Sequence, residues 1–124
     1  MIFGVGIDMV EVERIATSIS REAGFRELVF SGSEIIYCES KKCRFEHYAA
    51  RFAAKEAFFK ALGTGWADGT AFSEVEVTNA EDGKPEIKLL RQTLETVSKM
   101  GVLKFSVSLT HTRTMASAIV IIEK

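Results

Sequence analysis

The chain has 124 residues, a formal net charge of −1 and 47% apolar residues, which predicts one compact domain over residues 1–124 with its own core. Because charges of the two signs nearly cancel and no segment is strongly basic, the composition argues against a nucleic-acid partner. The apolar N-terminal segment has no basic leader and meets Asp8 and Glu11 early, so we expect no signal peptide, no membrane partner and a cytoplasmic protein.

The first predicted element is a strand over residues 2–7 with one bulky and one bare face. Bulky apolar residues alternate there with Gly4 and Gly6, so the glycine face is suited to close packing. Over residues 9–20 the apolar positions recur at helical spacing, which predicts an amphipathic helix.

The middle of the chain is predicted to be helical and jointed. Gly24 interrupts the first helix, and Ser31 or Ser33 is suited to cap the next one. The strongest helix covers residues 44–62, because this segment is rich in alanine and phenylalanine, contains no glycine or proline, and is followed by Gly63. We expect it to be the central element.

The C-terminal half predicts four strands and one short helix. Residues 72–78 and 86–90 alternate and flank a turn, as a hairpin does. Residues 91–100 fit a helix, and an alternating run from Leu103 precedes an apolar run over 116–122, which together predict two last strands. The pattern as a whole predicts an α+β domain with an antiparallel sheet packed against a long central helix.

Glu56 is unusual because it lies in a stripe of phenylalanines on the long helix. Phe52, Glu56 and Phe59 are spaced so that they share one face. A carboxylate there loses hydration and requires a cation, a metal ion or strong hydrogen-bond donors. Lys60, one turn further on, is one such cation, and periodicity alone favours an internal Glu56–Lys60 pair over a functional role.

Asp8 allows two interpretations. It ends the first predicted strand and precedes a helix, so that with Glu11 it resembles a capping box. Alternatively, the carboxylates of Asp8 and Glu56 together hold a hard divalent cation such as Mg²⁺.

The turn Gly63-Thr64-Gly65 has the backbone freedom to bind phosphate oxygens, although such a turn after a helix is more often a simple C-cap. Walker A and dinucleotide-binding patterns are missing. Three cationic side chains of the long helix are available either to a phosphate-rich ligand or to solvent. They are Arg51, Lys55 and Lys60.

His111 follows a run of hydroxyl residues at a predicted strand end, where a histidine is more often structural than catalytic. No serine or cysteine nucleophile motif accompanies it. Cys38 and Cys43 are expected to be reduced, and with His47 they supply only three zinc ligands at loose spacing, which disfavours a zinc site.

These segments resemble the holo-acyl-carrier-protein synthases, small phosphopantetheinyl transferases with a GxD near the N-terminus and an FxxKExxxK helix. The second motif is specific and the first is weak alone, but five segments occur in the expected order along the whole chain. Thr110 stands where some relatives carry serine. The matching segments are GID at 6–8, FAAKEAFFK at 52–60, GTG at 63–65, GKP at 83–85 and SLTHT at 108–112.

The resemblance implies the 4′-phosphopantetheinyl transferase fold and the corresponding activity. Such an enzyme moves the phosphopantetheine arm of coenzyme A to a serine of apo acyl carrier protein, in fatty acid biosynthesis, and releases 3′,5′-ADP. The resemblance implies that Asp8 and Glu56 bind Mg²⁺ and are catalytic together with Lys60. The residues predicted to contact coenzyme A are Arg51, Lys55, Lys60, Gly63, Thr64, Gly65, Lys84, Pro85, His111 and Thr112.

Family members are typically trimers with coenzyme A between neighbouring subunits, so the resemblance implies a homotrimer with shared sites. A carrier protein of this class presents an acidic recognition helix, which requires a basic, partly apolar docking surface. We predict that Arg14, Arg21 and Arg26 form it, with a merely solvated helix face as the alternative.

Two rival functions stay open at this point. A non-catalytic coenzyme-A-binding module would not need both Asp8 and Glu56. A metal-dependent phosphohydrolase would attack the same pyrophosphate with water, whereas only a transferase adds mass to a carrier protein.

Overall fold

The computed structural model describes residues 1–65, 68–102 and 104–124. Leu103, with which we began the predicted alternating run, lies outside the described residues. Within the described ranges the chain is α+β, as predicted, and a 3-10 turn over Phe72–Glu74 precedes the second strand. The elements are β1 (Ile2–Glu11), α1 (Val12–Arg21), α2 (Phe25–Val29), α3 (Gly32–Glu39), α4 (Arg44–Leu62), β2 (Val75–Asn79), β3 (Pro85–Leu89), α5 (Arg91–Ser98), β4 (Lys104–His111) and β5 (Met115–Glu123).

The strands form two antiparallel sheets, one three-stranded in the order β1-β5-β4 and one formed by the hairpin β2-β3. Gly6 pairs with Val120, which in turn pairs with Val107, so the C-terminal strand β5 is the central strand and β1 lies at an edge of the larger sheet. Helix α4 packs across one face of this sheet, against β1, β5 and β4. The predicted central helix is therefore confirmed. None of the helices in the described ranges has both the length and the apolar character to span a bilayer.

Strand β1 lies directly on the backbone of α4 because its inward positions are glycines. A Cβ atom added to Gly4 would come within 1.9 Å of the Ala61 carbonyl oxygen, and one added to Gly6 within 1.9 Å of the Ala57 carbonyl oxygen. Real Cβ atoms never approach so closely, so only glycine permits this contact. The close approach brings the end of β1 within reach of side chains on the last turns of α4.

Local signals set the limits of several helices. Ser31 caps α3 through a full capping box, in which its hydroxyl accepts from the Glu34 N–H and the Glu34 carboxylate accepts from the Ser31 N–H. Helix α4 ends at Gly63, whose φ of 81° is left-handed.

The interpretation of Asp8 as a helix cap is wrong. Strand β1 continues to Glu11, which occupies the N-cap position of α1 and makes no side-chain capping bond. The strand runs on because β5 continues to pair with it, with Asp8 opposite Ala118 and Val10 opposite Ala116. Asp8 therefore projects from within a strand and makes no capping bond.

The outer face of the larger sheet, opposite α4, is apolar and open. Its β1 side chains Val5, Ile7 and Met9 are 54%, 63% and 66% exposed, and Ile119 of β5 lies beside them at 37%. Contiguous exposed apolar side chains of this kind mark an interaction surface. We call these four residues the outer face.

Candidate active site

Asp8 and Lys60 meet where β1 crosses the last turns of α4. The Lys60 Nζ donates to Asp8 Oδ1 at 3.0 Å and to the Ile7 carbonyl oxygen at 3.0 Å. Periodicity favoured an ion pair of Lys60 with Glu56, but in the described part of the chain the carboxylate that Lys60 pairs with is Asp8. Tertiary packing of the strand on the helix thus supplies a partner that the helix sequence does not show.

Glu56 lies half-buried beside this pair, and its electrostatic surroundings are unusual. Burial raises the pKa of Glu56, the nearby Asp8 carboxylate raises it further, and Lys60 and Arg14 oppose the shift. Two carboxylates therefore lie close enough to repel each other in a partly dehydrated place. Such a pair is poised to bind a cation.

The donor set fits Mg²⁺. Both side chains offer hard carboxylate oxygens, and their mutual repulsion is what a divalent cation relieves. Among the described residues no group of three or more histidine, cysteine, aspartate or glutamate side chains converges. Mg²⁺ commonly takes one or two carboxylates and completes its shell with waters and phosphate oxygens, so two carboxylates suffice.

A cavity of about 200 Å³ opens near the start of α4 and gathers residues that are distant in sequence. Arg51, Pro85 and His111, all predicted to contact coenzyme A, lie in its wall. The sequence motifs at 52–60, 83–85 and 108–112 thus lie in elements that meet at or next to this cavity. Tyr37, His47 and Asn79 also line it.

Arg51 is only 2% exposed, and one of its polar atoms has no partner. Its Nη2 donates to Asn79 Oδ1 at 2.7 Å, and its guanidinium lies 4.1 Å from the Tyr37 ring centroid. The buried Nε–H has no acceptor among the described residues. The positive charge of the guanidinium group in the cavity wall favours an anionic ligand there.

His111 is held by an acidic side chain of α4. Its Nδ1 lies 2.9 Å from Glu46 Oε1, which orients the ring towards the cavity. Thr112 is occupied with the β4–β5 turn, since its hydroxyl accepts from the Met115 N–H at 3.1 Å. His111 therefore has the structural hydrogen-bonding role that the sequence favoured. It also lies in the cavity wall, so its predicted contact with coenzyme A stays a prediction.

The glycine turn after α4 is a C-cap, as one interpretation held, and is also exposed. The Gly63 N–H donates to the carbonyl oxygens of Phe59 and Lys60, and the Thr64 hydroxyl donates to Gly65 O at 3.0 Å. Lys84 lies in the exposed β2–β3 turn. The binding of coenzyme A phosphates by the turn over residues 63–65 and by Lys84 stays a prediction.

The predicted contact between Lys55 and coenzyme A does not fit the structure. Lys55 is fully buried, and its Nζ donates to Glu34 Oε1 at 2.7 Å and to the carbonyl oxygens of Phe72 and Val75. These three bonds use all of its ammonium protons. Lys55 lies about 100° around the axis of α4 from Glu56, so its side chain faces α3 and β2.

We expect Lys55→Met to destabilise the fold. The Glu34 carboxylate would stay buried without its cation, and we expect the free energy of unfolding to fall by about 3 kcal/mol, measured by urea denaturation. A phosphate-binding lysine would instead raise the KM for coenzyme A at unchanged stability, and that result would restore the original prediction.

Several wall residues escaped the sequence analysis. Tyr37 and Asn79 belong to no sequence motif and join the cavity only through tertiary packing. Glu46 belongs to no motif either, and it contacts the wall residue His111. The sequence gives His47 only the role of a possible zinc ligand. Of its two possible partners, Cys38 is buried, which raises the pKa of its thiol to about 12, and Cys43 is exposed. The two cysteines therefore lie in different environments.

The arginines predicted for carrier docking differ in their surroundings. Arg14 and Arg21 lie exposed on α1, and Arg14 is near enough to act on the charge of Glu56. Arg26 of α2 forms ion pairs with Glu27 at 2.9 Å and Glu39 at 3.2 Å. Arg14 is thus the docking candidate nearest to the carboxylates.

The chain is similar to known proteins in both sequence and fold. Residues 4–118 match the family model of the 4′-phosphopantetheinyl transferase superfamily. The holo-[acyl-carrier-protein] synthase of Geobacter sp. (strain M21) is 44% identical over 126 residues, which cover 100% of both chains. The crystal structure of the Neisseria meningitidis holo-[acyl-carrier-protein] synthase has a TM-score of 0.91 at 29% identity, covering 100% of both chains. That of the Bacillus anthracis str. Ames enzyme, in complex with CoA (3′,5′-ADP), has a TM-score of 0.82 at 32% identity, covering 100% of this chain and 98% of the other.

Proposed function

The chain belongs to the 4′-phosphopantetheinyl transferase superfamily, and we infer that Asp8, Glu56 and Lys60 carry out its holo-[acyl-carrier-protein] synthase reaction. The chain transfers the 4′-phosphopantetheine arm of coenzyme A to a serine of apo acyl carrier protein, the step that activates the carrier for fatty acid biosynthesis. The observation that carries the proposal is the pairing of Lys60 with Asp8 beside the half-buried Glu56.

The reaction requires a proton acceptor and positive charge at the pyrophosphate. The serine Oγ attacks the β-phosphorus, the bond from this phosphorus to the bridging oxygen breaks, and 3′,5′-ADP leaves with that oxygen. Glu56 accepts the serine proton, directly or through a water. Lys60 is exposed and turns from Asp8 to neutralise charge on the phosphoryl oxygens.

Asp8 and Glu56 are the residues that would hold Mg²⁺, which supplies Lewis-acid stabilisation of the phosphoryl oxygens when bound. Asp8 projects from a strand whose backbone is fixed by α4 and β5, so its carboxylate is held rigidly. A rigid carboxylate loses little conformational entropy on binding a cation.

We assign the nucleotide of coenzyme A to the cavity lined by Arg51, Pro85 and His111. The Arg51 side chain in the cavity wall supports this assignment, because phosphate oxygens are strong acceptors for a guanidinium group. Lys84, Thr112 and the turn over 63–65 are proposed to hold the remaining phosphate and ribose oxygens.

The proposed activity is tested by incubating the chain with coenzyme A, Mg²⁺ and an apo acyl carrier protein. Intact mass spectrometry of the carrier should show the added phosphopantetheine, and the second product should be 3′,5′-ADP. A phosphohydrolase would release 3′,5′-ADP without changing the carrier mass, and a binding module would give neither product. Chelation of divalent cations should stop the transfer, and full activity in excess chelator would contradict the Mg²⁺ assignment.

We propose that the chain forms a homotrimer through the outer face, with sites shared between subunits. The exposed apolar side chains of β1 support this, since a stable monomer rarely exposes such a row. Val5→Lys should convert the trimer to monomers in light scattering. The matched variant Leu94→Lys, on α5 and also exposed, should leave the trimer intact. A wild-type chain that is monomeric and fully active would contradict the proposal.

We propose that the acidic carrier docks on α1, with Arg14 contributing most. Arg14→Glu replaces attraction by repulsion, so the KM for the carrier should rise about tenfold or more while the KM for coenzyme A changes little. Added salt should weaken the wild-type preference. Changes at Arg21 and Arg26 should act in the same direction with smaller effects, because Arg26 is already paired with Glu27 and Glu39. Steady-state kinetics with an unchanged carrier KM for Arg14→Glu would remove α1 from the docking surface.

We further propose that residues 1–124 act as a single transferase domain in the cytoplasm. Both cysteines are free thiols, Cys38 buried and Cys43 exposed, which suits a reducing compartment.

A further inference from the structure

His47 lies in the wall of the proposed nucleotide cavity, and the proposed chemistry gives it no role. Its ring stands edge to face between two aromatic neighbours, 5.8 Å from the Tyr37 ring centroid and 5.3 Å from that of His111. The same cavity is lined by Arg51, with its unpartnered Nε–H. His47 is therefore a titratable side chain that lines the same cavity as a buried guanidinium group.

Positive charge surrounds His47 from several elements. Lys41 lies between α3 and α4, Arg51 is on α4 itself, and His111 approaches from β4; the nearby acidic group is Glu46, which is already bonded to His111. Lys84 is a cation in the exposed turn of the β2–β3 hairpin, and the described hairpin residues that line the cavity are uncharged. These lining residues are Asn79, Gly83 and Pro85.

These surroundings disfavour a proton on His47 in the free protein. Burial lowers the pKa of His47 most, and the charges of His111, Arg51 and Lys41 lower it further against the weaker opposing effect of Glu46. A phosphate in the cavity would reverse this balance, because an anion near an imidazole favours the protonated form.

We propose that His47 is a proton-linked binding residue. Its imidazole takes up one proton from solvent when a phosphate of the nucleotide enters the cavity, and the resulting imidazolium binds that phosphate through a hydrogen bond or through its positive charge. This inference rests on the proposed placement of coenzyme A. It deepens that placement by making nucleotide affinity depend on pH through a residue outside the family motifs quoted above.

The sign of the dependence follows from linkage. If the ligand raises the pKa of His47 from its lowered value, then affinity rises as the pH falls from the bound-state pKa towards the free-state pKa. The phosphate loses charge near pH 6 as well, which acts in the opposite direction. A comparison with a variant that cannot titrate at this position separates the two effects.

The experiment uses 3′,5′-ADP as the probe, with wild-type protein and His47→Phe, which keeps an aromatic ring between Tyr37 and His111. The ratio of wild-type to variant affinity should increase roughly three- to tenfold between pH 8 and pH 6, since one pKa unit corresponds to a factor of ten. Calorimetry in two buffers of different ionisation enthalpy should show greater proton uptake by the wild type. His47→Gln, which hydrogen-bonds without titrating, should behave like His47→Phe in proton uptake.

A second measurement needs no variant. The NMR titration of the His47 ring in the wild-type protein should move to higher pH when 3′,5′-ADP saturates the site. An unchanged His47 titration, or equal pH slopes and equal proton uptake in wild type and His47→Phe, would overturn the inference while leaving the proposed function intact. Failure of 3′,5′-ADP to bind the wild type at any pH would overturn both.

Discussion

Glu56→Gln should abolish transfer while leaving the fold intact. The substitution keeps the shape of the side chain and removes the charge that we assign to proton acceptance and cation binding, so the rate should fall by at least about a thousandfold. Intact mass measurement of the carrier over time gives the rate directly.

The Glu56→Gln substitution should lower the transfer rate without lowering the thermal stability of the fold. A carboxyl group whose pKa is raised on folding stabilises the fold when it is protonated, and this contribution is lost as the pH rises through the folded-state pKa. At neutral pH the uncharged Glu56→Gln variant should therefore be at least as stable as the wild type in a thermal melt. Glu95→Gln, which removes the same charge from an exposed position on α5, is the matched control and should retain full activity. Transfer by Glu56→Gln within about tenfold of the wild type would refute the assignment of this residue.

Gly6→Ala should strongly destabilise the fold. Its Cβ would lie 1.9 Å from the Ala57 carbonyl oxygen and 2.7 Å from the Ala61 backbone nitrogen, and neither backbone atom can move without shifting α4. We expect a loss of at least about 4 kcal/mol in the free energy of unfolding. Denaturant unfolding at several temperatures measures it.

The matched control is Gly32→Ala at the first position of α3, where an added Cβ meets nothing within 4 Å. This variant should be neutral or slightly stabilised, because alanine restricts the unfolded chain more than glycine does. Equal free energies of unfolding for the two variants would contradict the role given to the close packing of β1 on α4. Any folded Gly6→Ala protein should also lose transfer, since a displaced β1 would move Asp8 away from Glu56 and Lys60.

The elements that rest on local signals could be predicted from the sequence. Helix α4 begins and ends where its composition and Gly63 indicate, and the capping box at Ser31 was within reach of a pattern search. The glycine face of β1 also indicated close packing correctly. These signals are short-range, so the sequence contains them in full.

Partnerships between distant residues could not be predicted in the same way. Lys55 and Lys60 are alike in the sequence, yet one is buried against Glu34 and the other reaches Asp8. The difference depends on which elements pack on each face of α4. Of the two interpretations of Asp8, the helix cap is wrong because the length of β1 depends on pairing with β5, which is more than a hundred residues away.

Strand β1 serves two surfaces with alternate residues, and this constrains how the chain can change during evolution. Gly4, Gly6 and Asp8 face α4, whereas Val5 and Ile7 belong to the outer face. A single inserted or deleted residue within the strand would exchange the two sets. A branched side chain would then meet the α4 backbone, and the carboxylate would point away from Glu56, so that the fold, the site and the proposed assembly would fail together. Length variation among relatives should therefore be found in the turns, and β1 should keep its length.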